Sequence, residues 1–467
     1  MKKTIRKTGL LIAVAAALFT TIARGADPTP RPFENGDRVC FIGDSITHGG
    51  LYHSYITLFY TTRFPERKLK TFNCGISGDS ANGATRRFDW DVAIHSPTIS
   101  TIMMGMNDVR RGLYGKENPD EKNLASRKSA FNRHTASMRK LANQLKAVDS
   151  EIIFITPSIY DQTSTMEKEN LYGVNDALGI CAQKARTLAA EFGGSVVDFH
   201  SEMSRVNAEY QKTDTVRTIV GGDRVHPRAM GHLIMAYTFL KAQGISPYVS
   251  KIVIDFKKRK LTEKRNAEVY GLVASNDEVR FSCLERALPF PIPSGSEGAL
   301  ELVPFVEKLN QETLSVRGLN EGTYILTIDD VAVGEYTADA LQKGINLATN
   351  TQTPQYKQAK SVAEANAKRH SLVAHKLRSF VHTEIYLRSK KDLDMNDFEA
   401  VKAALNARVA KMRKQGLSSA GYYDGQTKLY LKEKPKEAEY ISQIEEAAKV
   451  MAAKNTPVKH QFVLKRK

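Results

Sequence analysis

The chain has 467 residues, 42% of them hydrophobic, and 68 Lys and Arg stand against 51 Asp and Glu, a formal net charge of +17. That length predicts two or three globular domains with real apolar cores. Past the N-terminal leader no run approaches the roughly eighteen unbroken apolar residues of a membrane span. Lys2, Lys3, Arg6, Lys7 and Arg24 account for part of the basic excess, and the rest is scattered. The clusters Lys257-Lys258-Arg259-Lys260 and Lys465-Arg466-Lys467 are short and lack interleaved aromatics. A solvated surface is the reading, with no nucleic-acid partner, and attraction to an acidic polysaccharide stays open.

Residues 1–25 read as a signal peptide. A basic start, Met1 to Lys7, precedes an apolar stretch from Gly9 to Ala23, and Ala23-Arg24-Gly25 before Ala26 suits a small-residue cleavage site. The apolar stretch is too short for a comfortable transmembrane helix. The protein is therefore expected in the periplasm or outside the cell, with no membrane span after cleavage. Cys40, Cys74, Cys181 and Cys283 are sparse for an exported chain. Burial as small apolar residues is favoured, and a Cys40–Cys74 disulfide is the alternative. No paired-cysteine or His-Glu-x-x-His spacing suggests a metal site.

Arg38 to Ile42 is a β-branched and aromatic run that enters Gly43-Asp44-Ser45, and the Tyr52–Phe64 segment then shows helical spacing. Ser45 is thus predicted at a strand-to-helix turn on the carboxyl edge of a parallel sheet, where open α/β folds place their sites. A second strand, Leu69 to Phe72, leads to Asn73-Cys74-Gly75-Ile76-Ser77-Gly78, whose glycines permit a tight turn with an exposed N–H. A third apolar run, Ile99 to Met104, leads to Gly105-Met106-Asn107-Asp108, and the Asn107 amide is a second donor. Asp223 and His226 lie three apart in a loop-like Gly221-Gly222-Asp223-Arg224-Val225-His226-Pro227 stretch. That spacing suits a carboxylate holding one imidazole nitrogen while the other faces Ser45. Pro227 would open a helix from Ala229 to Lys241.

Four blocks in this order resemble the SGNH, or GDSL, hydrolase superfamily over residues 36–245. The resemblance implies a three-layer α/β/α fold with a mostly parallel, flavodoxin-like sheet. It implies Ser45 as nucleophile, His226 as general base and Asp223 as its orienting carboxylate. The oxyanion donors would be the Ser45 N–H, the Gly78 N–H and the Asn107 side chain. The reaction would be acyl transfer through an acyl-enzyme, with no metal or organic cofactor. Ile46 stands where the family's motif has Leu, an apolar change that alters packing only. Asp44 and Asp108 are read as loop-fixing carboxylates. Arg110 and Arg111 either pair an anionic substrate group or balance Asp108. His232 is read as structural, and His200 as facing the site or the surface. Trp90 is read as core packing ahead of sugar stacking.

Residues 250–350 change to short strand-like runs, from Ile252–Phe256 to Thr323–Ile328, with turn signals between them and a Pro-rich loop at Pro289 to Pro293. This predicts a β appendage. Residues 355–467 read as helical, with helices over Asn396–Lys414 and Lys436–Lys454 separated by Gly416 and by Gly421-Tyr422-Tyr423-Asp424-Gly425. The reading overall is an exported carboxylic ester hydrolase acting on a small-molecule or polysaccharide ester. Removal of acetyl groups from a carbohydrate leads; a lysophospholipase or thioesterase on longer acyl chains is the alternative. A non-catalytic glycan-binding protein on a hydrolase scaffold is disfavoured by intact Ser45, Asn107, Asp223 and His226.

Overall fold

The first strand, β1 (Arg38–Gly43), turns Val39 and Phe41 to one side and Cys40 and Ile42 to the other, all buried, so it needs cover on both faces. The computed structural model describes residues 27–467, and the segment read as a signal peptide lies outside them. With β2 (Lys70–Gly75), β3 (Ile99–Met103), β4 (Glu151–Ile155) and β5 (Ser195–Val197) it forms a five-stranded sheet in the order β2-β1-β3-β4-β5. Every pairing is parallel.

Seven helices wrap this sheet: α1 (Ser45–Gly49), α2 (Leu51–Arg63), α3 (Ala81–Arg87), α4 (Glu121–Lys146), α5 (Val174–Phe192), α6 (Phe199–Gln211) and α7 (Ala229–Ala242). Ile56 and Phe59 of α2, Met203 of α6 and Phe239 of α7 join the core on the Phe41 side. Ala84 of α3, Met138 and Leu141 of α4 and Leu188 of α5 join the core on the Ile42 side. This is the expected α/β/α sandwich. Because β1 lies between β2 and β3, the loops leaving β1 and β3 diverge and open a crevice at their carboxyl ends. Asp120 starts α4, its side chain accepting the Asn123 N–H at 2.6 Å.

The chain then builds β6 (Tyr248–Asp255), β7 (Lys260–Arg265), β8 (Ala267–Ser275), β9 (Glu278–Glu285), β10 (Gln311–Arg317), β11 (Thr323–Ile328), β12 (Val331–Thr337) and β13 (Ile345–Asn346). With β14 (Lys459–Arg466) they form two sheets over one shared apolar core, in the orders β13-β10-β6-β7 and β12-β11-β14-β9-β8. The charged β7, Lys260-Leu261-Thr262-Glu263-Lys264-Arg265, is an edge strand, and its charges hid it from a hydrophobicity reading.

Short helices α8 (Phe305–Leu309) and α9 (Ala338–Lys343) lie within this region, followed by α10 (Pro354–Leu372), α11 (Arg378–Leu387), α12 (Phe398–Lys414), α13 (Ala420–Glu433) and α14 (Glu437–Lys454). The Gly421–Gly425 stretch is not a separator but lies inside α13. Two glycines cost a helix roughly 1 kcal/mol each, and packing opposes that loss: Tyr430 is buried edge-on to Phe380 at 5.9 Å. Nor is the region helical to its end. Residues Lys459–Arg466 form β14, inserted between β9 and β11, with His460, Phe462 and Leu464 buried in alternation. Phe462 stacks on Phe281 at 5.0 Å. Among the described residues no helix is long and apolar enough to cross a membrane.

The C-terminal helices are tied to the first sheet by buried polar contacts. Asn366 Nδ2 donates to Ser54 O and Oγ at 3.1 and 2.9 Å, and Arg369 donates to Thr71 O at 2.8 Å. Arg378 donates to Gly75 O at 3.1 Å and grips both oxygens of Asp91 at 2.5 and 2.8 Å. Arg87 pairs with the same carboxylate. Burial works against the charged form of Asp91, but Arg378 and Arg87 together hold its pKa well below the usual carboxylate range.

A layer of neutral histidines lies along this seam. Burial pushes His48 and His232 down to about 3 and His370 to about 4, and lowers His53 as well. Each is protonated below its ordinary value of about 6.5 in the unfolded chain but not in the fold. Their stabilisation is therefore complete above pH 6.5 and is lost as pH falls toward the folded values, because the unfolded state then binds more protons. His134 acts oppositely: burial would lower its pKa, but the neighbouring Asp108 carboxylate and Cys181 raise it to about 10, so its contribution is complete below 6.5 and is lost as pH rises through 10. Urea midpoints measured from pH 4 to 9 should peak near neutrality and fall more steeply on the acid side; a flat profile between pH 7 and 5 would contradict the seam as described.

Candidate active site

Ser45 opens α1 directly above the carboxyl end of β1 because two glycines let the chain fold back there. Gly43 pairs in register with Gly75. A Cβ on Gly43 would lie 2.1 Å from Thr47 Oγ1, and one on Gly75 would lie 2.2 Å from the His48 nitrogen. Asp44 Oδ1 accepts the Ile46 N–H at 3.0 Å and caps the helix. Burial pushes Asp44 up to about 6, against the opposing pull of that bond.

The turn after β2 is fastened to the same helix. Asn73 donates to His48 O at 2.9 Å, and the Ser77 N–H donates to His48 Nδ1 at 3.1 Å. His48 Nε2 then donates to Ala374 O at 3.0 Å, between α10 and α11. Gly78 follows at φ +76°, a conformation that suits glycine. Among the described residues no acceptor takes the Gly78 or Ser45 N–H. After β3, Asn107 Nδ2 donates one hydrogen to Asp79 O at 2.8 Å, which leaves its second N–H for another acceptor.

Asp223 and His226 come from a turn ahead of α7. Asp223 Oδ1 accepts the N–H groups of Val225 and His226 at 3.1 and 3.0 Å, and Oδ2 lies 2.6 Å from His226 Nδ1. Partial burial would raise the Asp223 pKa, but the two backbone bonds and the imidazole hold it at about 2. His226 Nε2 lies 2.7 Å from Ser45 Oγ. The structure thus brings Ser45, His226 and Asp223 into one line. Nδ1–H on Asp223 leaves Nε2 free to accept from the Ser45 hydroxyl.

Asp108 accepts the Ala81 N–H at 3.1 Å and lies 3.2 Å from His134 Nδ1. It is therefore not balanced by Arg110 or Arg111, which instead line a shallow concavity of about 550 Å³ with Asn107, Leu113 and Leu171. His232 is buried and takes the Tyr52 N–H at 3.2 Å, and His200 bonds Asn175 O at 3.1 Å. All four cysteines are buried free thiols. Trp90 is half-buried, with the Arg388 guanidinium 4.6 Å from its ring.

Arg224, between Asp223 and His226, is 2% exposed and sits at φ +66°. Its guanidinium donates to the carbonyls of Asp161, Ser164, Met166 and Lys168 at 2.8 to 3.0 Å. It pins the 161–168 loop to the Asp223–His226 turn. Arg224→Met should leave those carbonyls unpaired and cost about 2 kcal/mol or more. Limited proteolysis should then cut within 161–170 far faster than in wild type, and unchanged cleavage would show that the loop is held otherwise.

Residues 41–234 match the GDSL-like Lipase/Acylhydrolase family. The acetylxylan esterase of Geobacillus stearothermophilus is 28% identical over 225 residues, covering 45% of this chain and 95% of that protein. The solved structure of a gut microbial diltiazem-metabolizing enzyme is 30% identical, with a TM-score of 0.86, and covers 94% of this chain and 100% of its own.

Proposed function

Because the chain belongs to the SGNH, or GDSL-like, hydrolases and is a carboxylic ester hydrolase, we propose that it works through an acyl-Ser45 intermediate and deacetylates a carbohydrate. The observation that carries the mechanism is the Ser45–His226–Asp223 line, with contacts of 2.7 and 2.6 Å. His226 Nε2 takes the Ser45 proton as Oγ attacks the ester carbonyl, and Asp223 stabilises the resulting imidazolium. The Ser45 and Gly78 N–H groups and the second Asn107 N–H receive the oxyanion. Collapse expels the alcohol, which takes the proton from His226. Water activated by the same base then releases the acid and restores Ser45.

The carbohydrate reading draws on the acetylxylan esterase relative and on the two arginines beside Asn107. Arg110 and Arg111, without Asp108 to balance, are placed to meet polar groups of the substrate beside Asn107. Export to the periplasm or beyond rests on the sequence of residues 1–25.

Ser45→Ala should lower ester turnover by roughly 10³ or more, and a fluorophosphonate should label Ser45 alone. Asn107→Ala should lower kcat by roughly 10²–10³ with KM little changed. Labelling of another serine, with activity retained in the Ser45 variant, would overturn the mechanism.

Acyl preference separates the carbohydrate reading from the lipid one. Where an apolar trough exists, each buried methylene is worth about 0.8 kcal/mol, so a lipase gains steeply with chain length. The expected series of kcat/KM falls from acetyl to octanoyl p-nitrophenyl esters, with acetate released from an acetylated glycan. A rising series would move the enzyme to the lysophospholipase or thioesterase class. Diltiazem belongs in the same screen, given the relative described as metabolizing it.

A further inference from the structure

A cavity of about 550 Å³ opens where the catalytic unit meets the C-terminal helices. Its inner wall is the Ile76–Asp79 turn that carries Gly78, and its outer wall is α11, α12 and α13. Two features set it apart from an ordinary seam. The first is its aromatic rings: Trp90 from the catalytic unit, with Tyr386 and Tyr423 from the helices. The second is its charge, because Arg86, Arg87, Arg388 and Arg408 line it against Asp79 as the single carboxylate among its walls.

The cations are not equivalent. Arg87 is committed to Asp79 and Asp91, and Arg388 lies 3.5 Å from Glu384. Arg408 and Arg86 have no carboxylate within pairing distance among the described residues. Arg408 is nonetheless held in place. Its guanidinium lies 4.3 Å from the Tyr386 ring centre and 4.0 Å from that of Tyr423. Stacking on two rings fixes the plane of the guanidinium while leaving its edge N–H groups available. His382 stacks parallel to Tyr423 at 6.2 Å. A planar cation held by aromatic faces, with its donors unspent, is pre-organised for a carboxylate. Flanking aromatic rings suit the apolar face of a pyranose.

We propose that this cavity binds a carboxylate-bearing sugar of the substrate, with Arg408 as the residue that recognises the carboxylate, so that the C-terminal helices form part of the substrate site. The proposal rests on the carbohydrate reading above and narrows it to acidic glycans. Its position fits: a sugar held against the Ile76–Asp79 wall lies beside the Gly78 amide assigned to the oxyanion. The acidic sugar could be a uronate within a chain or a terminal sialate, and both present the same carboxylate on a ring.

The test compares acetate release from acetylated oligogalacturonate, an O-acetylated sialoside and acetylated xylo-oligosaccharide, with p-nitrophenyl acetate as the reference ester. Wild type should favour one acidic substrate over the neutral one by about tenfold in kcat/KM, less so at high salt. Arg408→Ala should lower that acidic-to-neutral ratio about tenfold, and Arg408→Lys should restore little of it, because a point charge lacks the planar fork. Which acidic substrate responds identifies the sugar. A ratio at or below one in wild type, or an equal loss on all substrates in Arg408→Ala, would overturn the proposal. If the Arg408 variants unfold, as judged by circular dichroism, Arg86→Ala is measured in the same way. Activity on p-nitrophenyl acetate with no acetate from any glycan would instead reject the carbohydrate reading. Calorimetry with unacetylated trigalacturonate and sialyllactose then decides the cavity's role: binding that Arg408→Ala abolishes upholds it, and no binding to wild type ends it.

Discussion

The close approach of α1 to the sheet edge is the constraint on which the site depends. Gly43 and Gly75 are register partners at the carboxyl ends of β1 and β2, and α1 rests on both. No side chain fits at either place without moving Thr47 or His48. With the gap closed, Ser45 begins its helix directly above the strand, and the Ser77–Gly78 turn comes alongside through His48. Asn107 arrives from the next strand and bonds Asp79 O, the residue after Gly78. Three loops from three adjacent strands are thereby locked to one another, and the proposed oxyanion role of their N–H groups depends on such pre-organisation.

The carboxylates around this point divide by environment. Asp44 is fully enclosed, and burial lifts its pKa to about 6 even though it caps α1. Asp223 is only partly enclosed and is held at about 2, with two backbone N–H groups and an imidazole directed at it. A carboxylate that keeps its charge across the neutral range can both orient an imidazole and stabilise its cation; one that titrates near 6 cannot do so reliably. Position alone would not separate these two aspartates, since each lies within three residues of one member of the Ser45–His226 contact. Solvation and donor count do.

The catalytic half of the fold was legible because its signals are local. A β-branched run ending in Gly-Asp-Ser, a glycine turn, an Asn at a strand end and an Asp-Arg-Val-His-Pro stretch each report a strand end or turn from a few adjacent residues. What stayed hidden depends on distant partners. The charged edge strand β7 gave no strand signal, and the terminal strand β14 was read as the end of a helical region; only pairing with β6, or with β9 and β11, reveals their alternation. The helix α13 contains two glycines that local propensity counts against it, and its buried Tyr430 is what holds it. His48, His134 and Arg224 are unremarkable in sequence because their partners lie 29, 26 and 56 or more residues away.

The appended regions are parts of one structure rather than separable modules. After the helices the chain returns to place β14 between β9 and β11, so without it both strands would present open edges. On the way, Arg378 reaches Gly75 O and Asp91, and the Ala374 carbonyl fixes the ring of His48. Removing the helices would leave Asp91 with Arg87 as its one remaining guanidinium partner, buried in the catalytic unit, and would free the imidazole that positions the Ser77 N–H. Breaking a buried ion pair on one side is costly because the surviving charge stays desolvated. The cost here would fall on the strand end that carries Gly78. The geometry at Ser45 is therefore held partly by residues more than three hundred positions away in the chain.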